Sequence, residues 1–162
     1  MTVFPRLVLD TNIVLALWHF ADPVLAPLAE AVACGRFALS SRDDALEELR
    51  HVLARPRLGI APERQARIIE RYRDCLAPEP GDAGMFDLPQ CRDRDDQKFL
   101  EIARDCGANH LLTRDKLLLK LNRHHLLRGK LAIVTPECFL AEAPRSMPQT
   151  PRASASFHAE RR

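Results

Sequence analysis

Two short apolar runs, each followed closely by an aspartate, constrain this chain more than any other feature. The first reads Leu7-Val-Leu-Asp10-Thr-Asn12 and the second Leu111-Leu-Thr-Arg-Asp115. A brief apolar run without polar alternation fits a strand covered on both faces. Phe37-Ala-Leu39 and Leu131-Ala-Ile-Val134 repeat the pattern. Between these runs lie helical periods over residues 12–19, 23–34, 41–54, 62–76 and 95–106, with a short helix from Pro136 to Glu142. Ser40 and Ser41 are the N-cap candidates of the third helix. Strands alternating with helices predict an α/β sandwich around a parallel sheet. In such sheets ligands bind beyond the carboxyl ends of the strands, which is where both aspartates stand.

The chain has 162 residues, enough for one domain or one domain with a tail. Hydrophobic residues make up 46%, which excludes a wholly disordered chain. No stretch reaches 18 uncharged apolar residues, so no membrane span is expected. Met1-Thr-Val-Phe-Pro-Arg6 carries no secretory pattern. The five cysteines, at 34, 75, 91, 106 and 138, form no CxxC pair. Reduced thiols in a cytoplasmic protein are the expectation, with Cys34 and Cys106 acting as small hydrophobes. Residues 78–92 read as a loop. Residues 1–143 are expected to form the domain and 144–162 a disordered Pro-, Ser- and Arg-containing tail. That tail carries net +3, leaving the remainder slightly acidic, unlike a protein that binds nucleic acid by bulk charge.

Helical spacing selects further acids. Ala45, Leu46, Leu49, Val52 and Leu53 form one face, with Glu47 nearly opposite and Glu48 on its flank. Asp96 falls in register with Phe99, Leu100 and Ala103, whereas Asp93 is placed to cap that helix and Asp95 lies on the other flank. Asp10, Glu48, Asp96 and Asp115 therefore point toward one cleft. Like charges at close range repel and raise one another's pKa, and a divalent cation relieves this. An all-oxygen set selects a hard ion, Mg²⁺ or Mn²⁺. The chemistry that fits is metal-assisted phosphodiester hydrolysis.

These acids, in this order within an α/β pattern, resemble the PIN-domain ribonucleases, and in particular the bacterial branch assigned as toxins of toxin–antitoxin pairs. The matching segments are Leu7-Val-Leu-Asp-Thr-Asn12, Leu46-Glu-Glu-Leu-Arg50, Val52-Leu-Ala-Arg-Pro56, Cys91-Arg-Asp-Arg-Asp-Asp96, Lys98-Phe-Leu100, Leu111-Leu-Thr-Arg-Asp115 and Thr135-Pro-Glu-Cys-Phe-Leu140. The resemblance implies a three-layer α/β/α sandwich with a parallel sheet of four to five strands. It implies Mg²⁺- or Mn²⁺-dependent cleavage of RNA, single-stranded or structured, with Asp10, Glu48, Asp96 and Asp115 as metal ligands. Asn12 and Thr113 match positions that order the site by hydrogen bonds, and Asp95 stands beside them in that supporting role. Thr11 is expected to shape the turn. A cognate antitoxin protein and a homodimeric form are also implied. Gln97 departs from the branch, which often has an acid there; by the helix count it faces away from the core.

Arg50, Arg114 and Lys116 are candidate contacts for RNA phosphates, or else rim charges that balance the acids. Trp18 and Tyr72 read as core aromatics. The alternative to catalysis is a noncatalytic PIN-like module that binds RNA or protein, but degenerate members of that kind lose acids and all four are present here. Asp10-Thr-Asn12 also loosely resembles the opening motif of haloacid-dehalogenase-like phosphohydrolases, which place a second aspartate where Asn12 stands.

Overall fold

The structure, a computed structural model, describes residues 4–143. Arg6–Leu9 (β1), Ala38–Ser40 (β2), His110–Leu112 (β3) and Ala132–Val134 (β4) form one parallel sheet in the order β2-β1-β3-β4. Leu7 pairs with Leu39 on one side and with His110 on the other. The helices are Thr11–Trp18 (α1), Ala26–Ala33 (α2), Asp43–Leu53 (α3), Pro62–Asp74 (α4), Gln97–Asp105 (α5), Lys116–Lys120 (α6) and Pro136–Glu142 (α7).

Side-chain alternation along these short strands builds two cores. Leu7, Leu9, Leu39 and Leu112 pack with Ile13, Leu28, Leu49, Leu53, Ile68 and Phe139 from α1, α2, α3, α4 and α7. Val8, Leu111 and Ile133 turn the other way, onto Phe99, Leu100, Ile102 and Ala103 of α5 and Leu118 of α6. Burial of each such side chain contributes about 1.5–3 kcal/mol. The result is the expected three-layer α/β/α sandwich, with four strands. The chain leaves β1 toward β2, then returns across β1 to reach β3. The order therefore reverses between β1 and β3, and a crevice opens at their carboxyl ends.

Local details differ from expectation where short-range signals compete. Ser40 ends β2 and accepts a hydrogen bond from Arg6 Nη1 at 2.8 Å instead of capping α3. Arg42 occupies the N-cap position of α3 and makes no side-chain cap. Cys34 closes α2 and is exposed rather than packed as a small hydrophobe. Residues 114–130 carried no predicted element, yet α6 and two 3₁₀ turns form there. Five residues are too few to display a helical period, and the Asp115 side chain starts α6 by accepting from Leu117 N and Leu118 N.

The 78–92 loop is held from α5. Gln97 Oε1 accepts from Cys91 N at 2.7 Å and its Nε2 donates to Pro89 O at 3.2 Å. Position 97 is thus half-buried and fastens the loop, where the helix count placed it facing away. Gly107 ends α5 with φ +62, and a Cβ there would lie 2.1 Å from Asp82 O, so only glycine fits. Trp18 and Tyr72 pack together, ring centroids 5.4 Å apart, as core aromatics. Among the described residues no single helix is long and apolar enough to cross a membrane. The tail expected over 144–162 lies outside the described residues.

Candidate active site

Asp10 follows β1 directly, and its N–H donates to Leu112 O at 3.0 Å, which locks it to the end of β3. The residue is only 5% exposed. Thr113 Oγ1 donates to Asp10 Oδ2 at 2.7 Å. Burial raises the Asp10 pKa, the Thr113 hydroxyl and the Thr11 N–H oppose the rise, and the charges of Glu48 and Asp115 add to it.

Glu48 projects from α3 and is gripped at both oxygens. Thr11 Oγ1 donates to Oε1 at 2.8 Å, and the Lys98 ammonium pairs with Oε2. Glu47, on the outer face, pairs instead with Arg50 at 2.8 Å. The helix spacing therefore separates an inner glutamate from an outer one.

Asp96 belongs to the 3₁₀ turn Arg94–Asp96 that leads into α5, one step ahead of the α-helix in which the periodicity placed it. Asp93 caps this turn by accepting from Asp95 N at 2.9 Å. Burial, followed by the charges of Asp10, Asp93, Asp115 and Glu48, pushes the Asp96 carboxyl up to about 6. Asp115 uses Oδ1 for the α6 cap, while its own N–H donates to Thr113 Oγ1 at 2.9 Å.

These four acids come from four separate segments and line one cleft of about 350 Å³, together with Asn12. Other predicted residues lie apart from it. Asp95 is exposed and does not line the cleft. Arg114 turns away to pair with Asp22, at 3.0 Å, and with Glu137. Lys116 is exposed, and Arg50 is spent on Glu47. A roomier cavity of about 520 Å³ lies at the opposite edge of the sheet, beside Pro5, Phe37, His110 and Phe139, and holds none of the four acids.

Among the described residues no three acidic, histidine or cysteine side chains are gathered at mutual ligand distances. The carboxylate oxygens rest on protein partners instead: Asp10 on Thr113, Glu48 on Thr11 and Lys98, Asp115 on the α6 amides. The donor set nonetheless suits a hard divalent cation. It is all oxygen, and burial together with the neighbouring carboxylates raises the pKa of Asp10 and of Asp96, the penalty such an ion relieves.

Three features escaped the sequence. Thr11 holds Glu48 rather than only shaping the turn. Lys98 supplies the counter-charge of Glu48 from another helix. Phe20, Arg55 and Arg57 line the cleft from two turns. Each depends on contacts between distant segments, which helical or strand spacing does not report. A family model described as the PIN domain matches residues 6–117, a span that includes all four acids. No curated protein matches the chain.

Proposed function

This chain belongs to the PIN-domain family, and from that premise we propose that it is an endoribonuclease dependent on Mg²⁺ or Mn²⁺. PIN domains are typically nucleases and generally use divalent ions. The observation that carries the reading is the convergence of Asp10, Glu48, Asp96 and Asp115 on one crevice at the strand-order reversal.

Those four residues would hold the ion, which when bound lowers the pKa of a water and neutralises charge on the phosphodiester. The chain's own groups do the positioning. Thr113 fixes one oxygen of Asp10 and the backbone of Asp115, tying the ends of β1 and β3 into one unit. Thr11 and Lys98 hold Glu48 at the crevice. Carboxylates positioned in advance lose little conformational freedom when they engage a ligand, which favours catalysis by positioning.

The family branch extends the proposal: the toxin of a toxin–antitoxin pair, homodimeric, cytoplasmic, acting on single-stranded or structured RNA and restrained by a cognate antitoxin protein. Cys34, Cys91, Cys106 and Cys138 are free thiols, which supports a reducing compartment. Purified protein incubated with an RNA pool tests the core of this reading. Cleavage with Mn²⁺ or Mg²⁺, lost with chelator and in Asp10→Asn, is expected. Cleavage equal in Asp10→Asn, or no cleavage of any RNA at any ion concentration, contradicts it, and the second outcome favours the noncatalytic module.

A further inference from the structure

The turn after α1 presents an aromatic ring to water at the lip of the acidic cleft. Phe20 is 62% exposed, yet it lines the same cleft as Asp10 and Asp96. The turn is built to hold it. Phe20 N donates to Leu15 O at 2.9 Å and Asp22 N to Ala16 O at 2.9 Å. Between them Ala21 adopts φ +49, a left-handed conformation uncommon outside glycine. Arg64 Nη2 donates to His19 O at 3.2 Å, and Arg114 anchors the Asp22 carboxylate at 3.0 Å. These bonds fix the backbone of the turn, and the ring itself packs on the neighbouring His19 imidazole, with centroids 4.5 Å apart. A restrained ring loses little freedom when a ligand stacks on it.

Charge at the same lip is uncommitted. Arg55 and Arg57 line the cleft and are exposed. Among the described residues neither forms an ion pair, whereas Arg50, Arg114 and Lys98 are all spent on acids. Four carboxylates repel a phosphate backbone, and two free guanidinium groups beside them offset that repulsion.

We infer that Phe20, Arg55 and Arg57 form a grip for single-stranded RNA: an unpaired base stacks on Phe20 while the two arginines take neighbouring phosphates. The inference rests on the nuclease reading above and adds the discriminating element. A base inside a duplex has both faces covered by its neighbours, so a ring at the lip selects bases that are unstacked.

Fluorescence anisotropy on the full chain carrying Asp10→Asn, with magnesium present, measures binding to a labelled single-stranded RNA and to the same RNA as a duplex. Adding Phe20→Ala is expected to weaken single-strand binding about 5- to 150-fold, the factor one base stack contributes, with duplex binding changed less than about twofold. Phe20→Trp restores the single-strand affinity. Replacing Arg55 and Arg57 by Gln is expected to flatten the salt dependence by roughly one or two phosphate contacts. Equal single-strand affinity with and without Phe20, no measurable binding by the parent, or an unchanged salt slope overturns the proposal. So does a change of solution mass in Phe20→Ala with RNA affinity unaltered, which assigns the ring to a protein interface. Binding is read in a chain unable to cleave, so this result and the cleavage result on the wild type fail separately.

Discussion

The Thr113 hydroxyl donates to Asp10 Oδ2 at 2.7 Å across 103 positions of sequence, and Thr113 Oγ1 in turn accepts from Asp115 N at 2.9 Å. One fully buried threonine thus fastens the acid after β1 to the acid after β3. Thr113→Val keeps the volume and removes both bonds. It is expected to lower unfolding free energy by about 1–3 kcal/mol in urea denaturation, because buried groups lose their partner. Cleavage is expected to fall about 10- to 100-fold, as for loss of a residue that orients metal ligands. Thr113→Ser restores both, and an unchanged rate in Thr113→Val contradicts the assigned role.

The acidity of the cleft predicts a pH signature in the metal-free protein. Asp96 is pushed up to about 6, first by burial and then by neighbouring acids, and Asp10 shifts the same way. A carboxyl that holds its proton more tightly when folded adds stability at low pH. That contribution is complete below the unfolded value, about 4, and is lost as pH rises through about 6. Asp22, Asp44 and Glu137 are held low, so their contribution is lost only as pH falls below the ordinary carboxylate range. Asp96→Asn removes the raised group. In chelator it is expected to melt above the wild type, with the gap wider near pH 7.5 than near pH 5. A gap that narrows as pH rises contradicts the electrostatic account.

Lys98 neutralises Glu48 from a half-buried position. Lys98→Met leaves Glu48 among like charges with only Thr11 as partner. The metal-free variant is expected to lose about 1–3 kcal/mol of stability, the usual cost of depriving a partly buried charge of its partner. Removing a positive charge beside the acids is also expected to tighten Mn²⁺ binding several-fold in calorimetric titration. Weaker Mn²⁺ binding would show instead that Lys98 chiefly holds Glu48 in place.

Arg42 ties α3 to α5 through Asp44 at 2.7 Å and Glu101 at 2.8 Å, and so sets the spacing of the helices that carry Glu48 and lead from Asp96. Its guanidinium is over one-third exposed, so Arg42→Ala is expected to cost no more than about 1 kcal/mol. A thermal-denaturation loss well beyond that would mean the pair is better shielded than its exposure indicates.

Much of this arrangement is written in local sequence. Leu7 to Leu9 read as a doubly covered strand because both faces of β1 are buried, and the same apolar pattern located the three other strands. Helical phase distinguished Glu48 from Glu47 because α3 is long enough to show a stripe. Asp96 is legible for a related reason: it is the last residue of the 3₁₀ turn, one step before α5, where the phase of the apolar stripe has scarcely drifted. Phase fails where the deciding contact is remote. Thr11 looks like a turn residue until α3 brings Glu48 to it from 37 positions away. Gln97 looks solvent-facing until the 78–92 loop folds over it. No local pattern marks Phe20, whose ring is left exposed at the cleft by the turn that follows α1.

The direct test of the central claim is a calorimetric titration of Mn²⁺ into metal-free protein, comparing wild type with Asp10→Asn and Asp96→Asn. Four carboxylates acting together predict a saturable site in the wild type that is weakened at least about tenfold in either variant, since each loses a charged ligand. Identical affinity and stoichiometry in all three proteins would contradict a shared ion at this crevice.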